Sequence, residues 1–369
     1  MATLKDVLAA RTREGELYHQ LDHDWVHCYA CGHNCKIPPG AVGVCKVRFN
    51  ERGRLMVPWG YAGGVQCDPI EKKPFFHVHP GALAYSFGML GCDLHCAYCQ
   101  NWVTSQALRD PQAMSPPLDV SPEGLVRDAV ERGAKIIVST YNEPLITSEW
   151  AVAIFKEARG AGLMTGFVSN GNGTPDVLEY LQPWIDAYKV DLKSFDDRHY
   201  RELGGRLQPI LDTITQLHAM GIWLELVTLL IPGFNDSDDE LKRMTAFIAG
   251  VSPDIPWHVT AFHGDYKMTE PGNTTSAMLL RAAGIGTAAG LRYVYAGNLP
   301  GKVGDLEDTH CPTCRHVLVE RYGYLIRGYN LTPAGACPSC GTQVPGKWSD
   351  RFTEQRTAIP LRVVRGLTR

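Results

Sequence analysis

Three cysteines lie close together in the segment GCDLHCAYCQNW and carry the strongest chemical signal in the chain. Cys92, Cys96 and Cys99 are separated by three and then two residues, in a loop that follows the apolar run ALAYSFGML. Cysteine thiolate is the usual ligand of iron–sulfur clusters. Three thiolates can hold three corners of a [4Fe–4S] cubane and leave the fourth iron open, as a catalytic zinc site leaves one position open. The alternatives are a zinc-binding loop or three unrelated thiols.

Eleven of the twelve cysteines fall into three compact groups, which indicates a metalloprotein. The groups are Cys28, Cys31, Cys35 and Cys45; Cys92, Cys96 and Cys99; and Cys311, Cys314, Cys337 and Cys340. Metal sites need CxxC pairs because a short loop places two thiolates on one ion, whereas disulfide frameworks do not. Cys67 stands alone and is best interpreted as a small buried residue.

The first and last cysteine groups predict two flanking metal modules. In the last group, two CxxC pairs are separated by 22 residues, which is typical of a zinc ribbon with a closed structural site. Its strands should lie in HVLVERYGYLI, and the ribbon could cover the open end of a barrel or bind a partner. The first group can close a zinc site or hold a second cluster. Spacing does not decide between them, although a closed four-cysteine shell favours a structural role.

Between Leu83 and Asn298, apolar strand-like runs alternate with amphipathic helical ones. The runs are ALAYSFGML, AKIIVST, LMTGFVSN, DAYKVDLK, IWLELVTLL, WHVTAFH and LRYVYAG. Ser121 followed by Pro122 predicts the start of one helix. Continuous apolar strands, each followed by a helix, indicate a parallel α/β sheet covered by helices. Six or seven such units predict a barrel or partial barrel with its chemistry at the carboxyl ends of the strands.

Polar side chains follow five of these runs at the point where each ends. They are Tyr141, Asn142 and Glu143 after the second run, Ser169 and Asn170 after the third, Asp191 and Lys193 after the fourth, and His263 after the sixth, besides the cysteine loop after the first. Alone, each has an ordinary explanation, such as a turn or a surface pair. Because the carboxyl ends of parallel strands meet at one rim, together they predict a binding site.

Composition excludes several classes of function. The 369 residues are 44% hydrophobic and carry 36 basic against 39 acidic residues, so no excess of one charge points to nucleic acid or an anionic membrane as the main partner. The N-terminus lacks the apolar core of a secretory signal. The longest apolar stretch contains Glu225 and is too short to cross a bilayer. We therefore expect a soluble, cytoplasmic protein.

Taken together, the chain resembles the radical S-adenosylmethionine (SAM) enzymes of the AmmeMemoRadiSam system, relatives of the pyruvate formate-lyase activating enzymes. The segments that carry the resemblance are CYACGHNCKIPPGAVGVCKVRFN, DPIEKKPFFHVHPG, GCDLHCAYCQNW, TYNEP, VDLKSF, LLIPGFNDS, WHVTAFHGDYKM, YVYAGN and CPTC…CPSCG…VPGKW. The resemblance implies a partial (β/α)6 barrel over residues 67–300, an N-terminal cysteine-rich metal-binding region over 1–66, and a zinc ribbon and tail over 301–369.

The resemblance also implies an oxidoreductase chemistry. A [4Fe–4S] cluster on Cys92, Cys96 and Cys99 would reductively cleave SAM to a 5′-deoxyadenosyl radical, which abstracts hydrogen from an unidentified small-molecule, peptide or protein substrate. An electron donor such as flavodoxin or ferredoxin would reduce the cluster. Positions that would contact SAM or a nearby cation are Asn142, Glu143, Asp191, Lys193 and His263. The chemistry of SAM adds Ser169 and Asn170, which could bond its ribose or carboxylate. Zinc is the expected metal of the ribbon and one candidate for the N-terminal site.

Two alternatives remain at this stage. One is a glycyl-radical activase that acts on a protein partner, although the chain lacks the two-cluster ferredoxin insert that many such enzymes carry. The other is a zinc-ribbon module that binds protein or RNA without catalysis. The N-terminal knuckle also reads CGHNC, where the family tends toward a proline and an arginine.

Overall fold

The computed structural model describes residues 3–113 and 115–349, and its first part is a set of short strands around the N-terminal cysteines. The elements are helix α1 (Leu4–Ala9) and strands β1 (Thr12–Glu14), β2 (Tyr18–Gln20), β3 (Val26–Cys28), β4 (Cys35–Ile37), β5 (Phe49–Glu51), β6 (Arg54–Pro58) and β7 (Tyr61–Ala62), with a 3-10 turn at Asp22–Asp24. Two three-stranded antiparallel sheets result, in the orders β1-β6-β5 and β2-β3-β4. Cys28 and Cys35 face each other across β3 and β4.

An eight-stranded sheet forms the centre of the molecule. The strands of this part of the chain are β8 (Gly64–Pro69), β9 (Leu83–Gly88), β10 (Leu118–Asp119), β11 (Ile136–Ser139), β12 (Met164–Ser169), β13 (Ala187–Asp191), β14 (Trp223–Leu230), β15 (Trp257–Ala261) and β16 (Val294–Gly297). Strand β10 pairs with β7 outside the sheet. The order is β8-β9-β11-β12-β13-β14-β15-β16, and every pair is parallel except β8 with β9.

Helices follow the parallel strands, as the sequence predicts. They are α2 (Trp102–Ser105), α3 (Pro122–Glu131), α4 (Ser148–Gly160), α5 (Pro175–Leu181), α6 (Asp197–Glu202), α7 (Leu207–Ala219), α8 (Asp238–Val251) and α9 (Ser276–Ala288), with 3-10 turns at Ile70–Lys72, Pro144–Thr147 and Gln182–Trp184. The Ser121 hydroxyl accepts a hydrogen bond from the Gly124 amide, which confirms the predicted start of α3. The six strand–helix units and the closing strand β16 confirm the predicted partial (β/α)6 barrel.

The amino-terminal end of the barrel is filled by the segment between β8 and β9. Phe75 and Val78 are fully buried there among Ala84, Ile136 and Val138, near the beginnings of β9 and β11. Apolar side chains thus fill much of this end of the sheet, and the buried Glu225 carboxylate accepts hydrogen bonds there from the Phe76 and His77 amides. The opposite rim, at the carboxyl ends of the strands, is where the chemistry of such a barrel is expected.

The ribbon packs against the same amino-terminal end. Its strands are β17 (Thr309–His310), β18 (Val317–Tyr322) and β19 (Leu325–Tyr329). Strand β18 lies within the predicted segment HVLVERYGYLI, whereas β19 begins in it and continues beyond and β17 precedes it. An Arg321 guanidinium nitrogen donates to the Phe76 carbonyl at 2.8 Å, and the Lys347 amide donates to the His77 carbonyl at 2.7 Å. The ribbon thus covers the amino-terminal end of the barrel, which the segment between β8 and β9 already fills. The arginine-rich tail, residues 350–369, lies outside the described residues.

Across residues 3–113 and 115–349, none of the helices combines the length and apolar character that crossing a bilayer requires. The longest helix is α8, with 14 residues, whereas about 20 residues are needed to span the hydrocarbon core.

Candidate active site

The cysteine loop lies at the carboxyl end of β9, directly after the strand. Gly91 takes a φ of +95° there, which allows the chain to turn sharply before Cys92. The Leu94 amide lies 3.4 Å from the Cys92 sulfur, and the Ser105 hydroxyl lies 3.1 Å from the Cys99 sulfur. The loop is thus folded back on itself and on helix α2, with all three thiols on a short stretch of chain.

The chemistry of these three thiols fits an iron–sulfur cluster. Burial raises the pKa of Cys92 and of Cys99 above the ordinary value and raises the pKa of Cys96 to about 12. Isolated thiolates would therefore be unstable in this loop, and a bound metal would stabilise them. Thiolate is also the ligand type that iron–sulfur clusters use.

Asp93 connects the cysteine loop to the neighbouring strand end. Its carboxylate is fully buried and accepts hydrogen bonds of 2.7 Å from the side-chain amides of Asn170 and Asn172. Both asparagines follow β12, so Asp93 fixes the loop after β9 against the loop after β12. A buried carboxylate without hydrogen bonds costs much free energy, so breaking either contact is unfavourable and the two loops are held rigidly together.

Asn142 holds the end of β11 against the end of β9. Its side-chain oxygen accepts a hydrogen bond of 3.0 Å from the Met89 amide, and its side-chain nitrogen donates to the Glu143 carbonyl at 3.1 Å. The side chain is largely buried. Asn142 therefore sets the path of the turn that leads into Glu143.

Glu143 is the hub of the rim between β11 and β12. Its carboxylate accepts hydrogen bonds from the Ser169 hydroxyl at 2.7 Å, the Asn170 amide at 2.7 Å and the Leu145 amide at 3.0 Å. Burial, and then the negative charge of Asp93, raise the pKa of Glu143 to about 8. The hydrogen-bond donors to this carboxylate all belong to the chain itself, so Glu143 holds the ends of β11 and β12 together.

Asp191 and Lys193 place opposite charges at the end of β13. The Asp191 carboxylate contacts the ammonium of Lys189, two residues earlier on the same face of the strand, and lies 3.4 Å from the Lys193 ammonium. Burial opposes its ionisation, but the two lysines keep the pKa of Asp191 below the ordinary value. Burial likewise opposes charging of Lys193, and Asp191 followed by Cys96 reverses this and raises its pKa. A cation thus lies near the cysteine loop.

His263 lies on the loop after β15 and contacts the cysteine loop from the side. One ring nitrogen lies 3.1 Å from the side-chain amide of Gln100, the residue after Cys99. The same loop reaches further, since Tyr266 stacks on Trp102 with ring centroids 5.1 Å apart. His263 is exposed, so a molecule bound at the rim can reach it.

The structure brings all of the predicted rim residues to the carboxyl ends of the strands. Ser169, Asn170, Asn142 and Glu143 form one hydrogen-bonded group with Asp93, whereas Asp191 with Lys193, and His263 with Gln100, form two others. Sequence reasoning did not single out three residues that organise this rim: Asp93, Lys189 and Arg109, whose guanidinium donates to the Cys92 carbonyl at 2.7 Å. Asp93 lies inside the cysteine motif, and that proximity was its only signal.

The ribbon cysteines form the tightest potential metal site. Among the described residues, Cys311, Cys314, Cys337 and Cys340 are the one group of at least three histidine, cysteine or acidic side chains whose ligand atoms all lie within 4.8 Å of one another. Two of the sulfur pairs are 3.5 and 3.6 Å apart. This spacing suits a single tetrahedral ion.

Comparison with known proteins agrees with the fold and the cysteine loop. The model of the radical SAM superfamily matches residues 88–245. An uncharacterized protein of Methanocaldococcus jannaschii is 34% identical over 335 residues, which cover 90% of this chain and 98% of that protein. The pyruvate formate-lyase-activating enzyme of Staphylococcus aureus is 28% identical over 196 residues, which cover 50% of this chain and 76% of that enzyme.

Among solved structures, SuiB of Streptococcus suis superposes with a TM-score of 0.47 at 15% identity, over 62% of this chain and 52% of SuiB. The match to the superfamily model begins at Gly88 and includes the cysteine loop and the strand ends β11 to β14. The chain therefore belongs to the radical SAM superfamily, as an enzyme with homology to the pyruvate formate-lyase activating enzymes.

Proposed function

We propose that Cys92, Cys96 and Cys99 hold the [4Fe–4S] cluster of this radical SAM enzyme and that the polar strand ends bind SAM beside it. Superfamily membership implies SAM and an iron–sulfur cluster. The observation that carries the assignment is the cysteine loop itself. Its three thiols, one on a buried and two on partly buried cysteines, lie at the carboxyl end of β9, and the loop is fixed to the neighbouring strand end through Asp93. When bound and reduced, the cluster supplies the electron that splits SAM to methionine and a 5′-deoxyadenosyl radical, which abstracts hydrogen from the substrate.

The chain's own residues divide into those that shape the rim and those that remain available to a ligand. Glu143 and Asn142 bind the chain, so their side chains position the loops on which SAM rests. Lys193 presents a cation for the SAM carboxylate, because charge-assisted hydrogen bonds to carboxylates are strong. Asp191 can accept from the ribose or hold a cation.

Three further predicted residues complete the proposed SAM site. Ser169 and Asn170 lie at the end of β12, where they can contact the ribose or carboxylate, although their side chains also serve Glu143 and Asp93. His263 offers an exposed imidazole from the loop after β15. The residues come from four strand ends, and this spread can enclose a ligand as large as SAM.

The remaining cofactor and partner assignments are also proposals. Zinc fills the ribbon, because four thiols gathered within 4.8 Å suit a closed tetrahedral site. A one-electron donor such as flavodoxin or ferredoxin reduces the SAM cluster, and the substrate is a small molecule, peptide or protein. Homology to activating enzymes favours catalysis over a non-catalytic ribbon module.

The test is anaerobic reduction of the purified protein by dithionite in the presence of SAM, followed by quantification of 5′-deoxyadenosine and methionine. We expect both products from the wild type and neither from Cys96→Ala, with the loss of about four iron atoms per chain. Cys67→Ala is the matched control, because Cys67 is also a buried cysteine but lies on β8, away from the rim. Products from Cys96→Ala, or their absence from a wild type that holds its cluster, would refute the assignment.

A further inference from the structure

The N-terminal cysteine group lies directly against the cysteine loop of the active site. One guanidinium group joins them, since Arg109 donates to the Cys92 carbonyl at 2.7 Å and to the Val44 carbonyl at 2.6 Å. Val44 immediately precedes Cys45. The backbones of the two cysteine-bearing segments are therefore separated by the width of a single planar side-chain group.

Further contacts join the same two segments. A His33 ring nitrogen lies 3.1 Å from the Asp93 carbonyl, and His33 lies between Cys31 and Cys35 in the sequence. A Cβ atom placed on Gly91 would lie 3.2 Å from the Cys45 carbonyl oxygen, so glycine is needed for this close approach. The residues on both sides of the N-terminal cysteines thus contact the residues on both sides of Cys92.

The N-terminal group also touches the strand end that Asp93 organises. The Gly32 amide donates to the Asn172 carbonyl at 2.8 Å, and the Thr174 hydroxyl donates to the Tyr29 carbonyl at 2.6 Å. The N-terminal knuckle is therefore seated on the rim of the barrel, whereas the ribbon lies at the other end.

The thiols of this group differ from those of the ribbon in spacing and burial. Within residues 3–113 and 115–349 only the ribbon gathers three or more ligand atoms within 4.8 Å, so the N-terminal thiols are more widely spaced than ligands of one ion require. The same is true of Cys92, Cys96 and Cys99. A cluster offers a different iron to each thiolate and so accommodates wider spacing. Cys31 and Cys45 are buried, whereas Cys314 and Cys340 are exposed.

We propose that Cys28, Cys31, Cys35 and Cys45 hold a second iron–sulfur cluster, placed to pass an electron to the cluster on Cys92, Cys96 and Cys99. Four thiolates would ligate it completely, so it would have no open iron for SAM and could serve electron transfer alone. Its presence is independent of the function proposed above, but its role as a relay rests on that function.

The electron balance of the relay is simple. An external protein donor loses one electron to the second cluster, and that electron passes to the SAM cluster, which leaves the second cluster oxidised again. Cleavage of SAM then consumes the electron as the carbon–sulfur bond breaks. The sulfur of methionine keeps an electron pair, and the 5′ carbon keeps the unpaired electron. No proton is transferred in these steps.

The test begins with the triple variant Cys92→Ala/Cys96→Ala/Cys99→Ala, reconstituted anaerobically with iron and sulfide. We expect it to keep iron and acid-labile sulfide and to show a Mössbauer spectrum of a cluster, while its response to SAM is lost. A cooperative denaturant unfolding transition like that of the wild type shows that the variant has folded, and about one zinc per chain is expected from the ribbon. A folded triple variant without iron, or one with a second zinc in place of iron, overturns the second cluster.

A second measurement tests the site in an otherwise intact chain and tests the distance between the clusters. In the fully reduced wild type we expect two paramagnetic signals that broaden each other by spin–spin interaction. Cys45→Ala should remove one signal and the broadening but leave the signal that changes when SAM is added; Cys67→Ala should keep all of these features. Two signals without mutual broadening would overturn the relay. If neither signal of the wild type changes when SAM is added, the result contradicts the proposed function but does not contradict the presence of a second cluster.

Discussion

At the scale of single residues, the rim depends on buried and partly buried charged groups that neutralise one another. Lys189 is 5% exposed, and its ammonium contacts the Asp191 carboxylate. Burial lowers the pKa of Lys189, and Asp191 opposes that effect. An ammonium in such a place stays charged only while its counter-charge is present. Asp191 therefore supports the barrel in addition to any contact it makes with SAM.

Asp191→Asn should destabilise the protein because it leaves Lys189 buried without its counter-charge. We expect a loss of about 3 kcal/mol in the free energy of unfolding, at the lower end for breaking a buried ion pair, since the Asp191 side chain is 32% exposed. Denaturant unfolding measures the loss. The double variant Lys189→Met/Asp191→Asn should recover most of it, because methionine fills the space without a charge. Equal instability of the single and double variants would show that the ion pair does not stabilise the barrel.

The same scale explains which site residues a sequence reveals. Cys92, Cys96 and Cys99 are recognisable in the sequence because the ligands of a metal cluster are of one residue type and lie close together along the chain. Asp93 has no such signature, since its importance comes from Asn170 and Asn172, which are far away in the sequence. A single acidic residue in a loop looks the same whether it faces solvent or joins two strand ends. Long-range partners become visible only in the folded chain.

At the scale of elements, the parallel strands were predictable and the N-terminal region was not. A strand buried on both faces must be apolar along its whole length, and the run AKIIVST reveals β11 for this reason. Helix α3 was predictable from its cap at Ser121. In contrast, β1 to β7 have at most five residues each, and such short strands do not show a recognisable alternation of apolar and polar residues. Their arrangement depends on contacts with the barrel and on the cysteines.

The segment that fills the amino-terminal end of the barrel also connects it to the ribbon. His77 lies in this segment and is fully buried. One ring nitrogen lies 2.7 Å from the Pro345 carbonyl, to which it donates, and the other lies 2.6 Å from the Tyr295 hydroxyl, from which it accepts. The neutral imidazole satisfies both partners. Burial lowers the pKa of His77 to about 4.

This pKa makes part of the stability depend on pH. The unfolded chain, with an ordinary imidazole, binds a proton below pH of about 6.5, whereas the folded chain resists protonation until pH falls to about 4. The contribution is therefore complete above pH 6.5 and is lost as pH falls toward 4. In His77→Gln we expect the slope of unfolding free energy against pH in this window to decrease by about 1.4 kcal/mol per pH unit. Denaturant unfolding at several pH values measures the slope.

Tyr295→Phe is the control for this measurement. It removes the hydroxyl that donates to His77 but leaves the imidazole buried, so its stability should fall while the slope remains. If both variants keep the wild-type slope, protonation of His77 does not contribute to acid unfolding.

At the scale of the whole molecule, the two kinds of cysteine site lie at opposite ends of one sheet. The active-site loop and the N-terminal knuckle occupy the carboxyl ends of the strands, whereas the ribbon packs on Phe76 and His77 at the amino-terminal ends. Arg48 and Glu149 fasten the N-terminal region to helix α4 through a bidentate buried pair at 2.7 and 2.8 Å. The sequence predicted three regions, and only folding shows which of them face each other.

This arrangement separates the metal of the ribbon from the chemistry at the rim. In Cys314→Ala the ribbon loses one of its four thiols, so we expect the loss of about one zinc per chain and a lower free energy of unfolding, because structural zinc contributes directly to folding. The iron content and the yield of 5′-deoxyadenosine per iron should stay within about twofold of wild type, since β18 and β19 contact the end of the barrel remote from Cys96. Metal analysis, denaturant unfolding and the dithionite assay measure these quantities. Loss of iron together with zinc would contradict this separation. It would mean that losing the ribbon disturbs the side chains of Phe75 and Val78 and that this change extends along the strands to the cysteine loop.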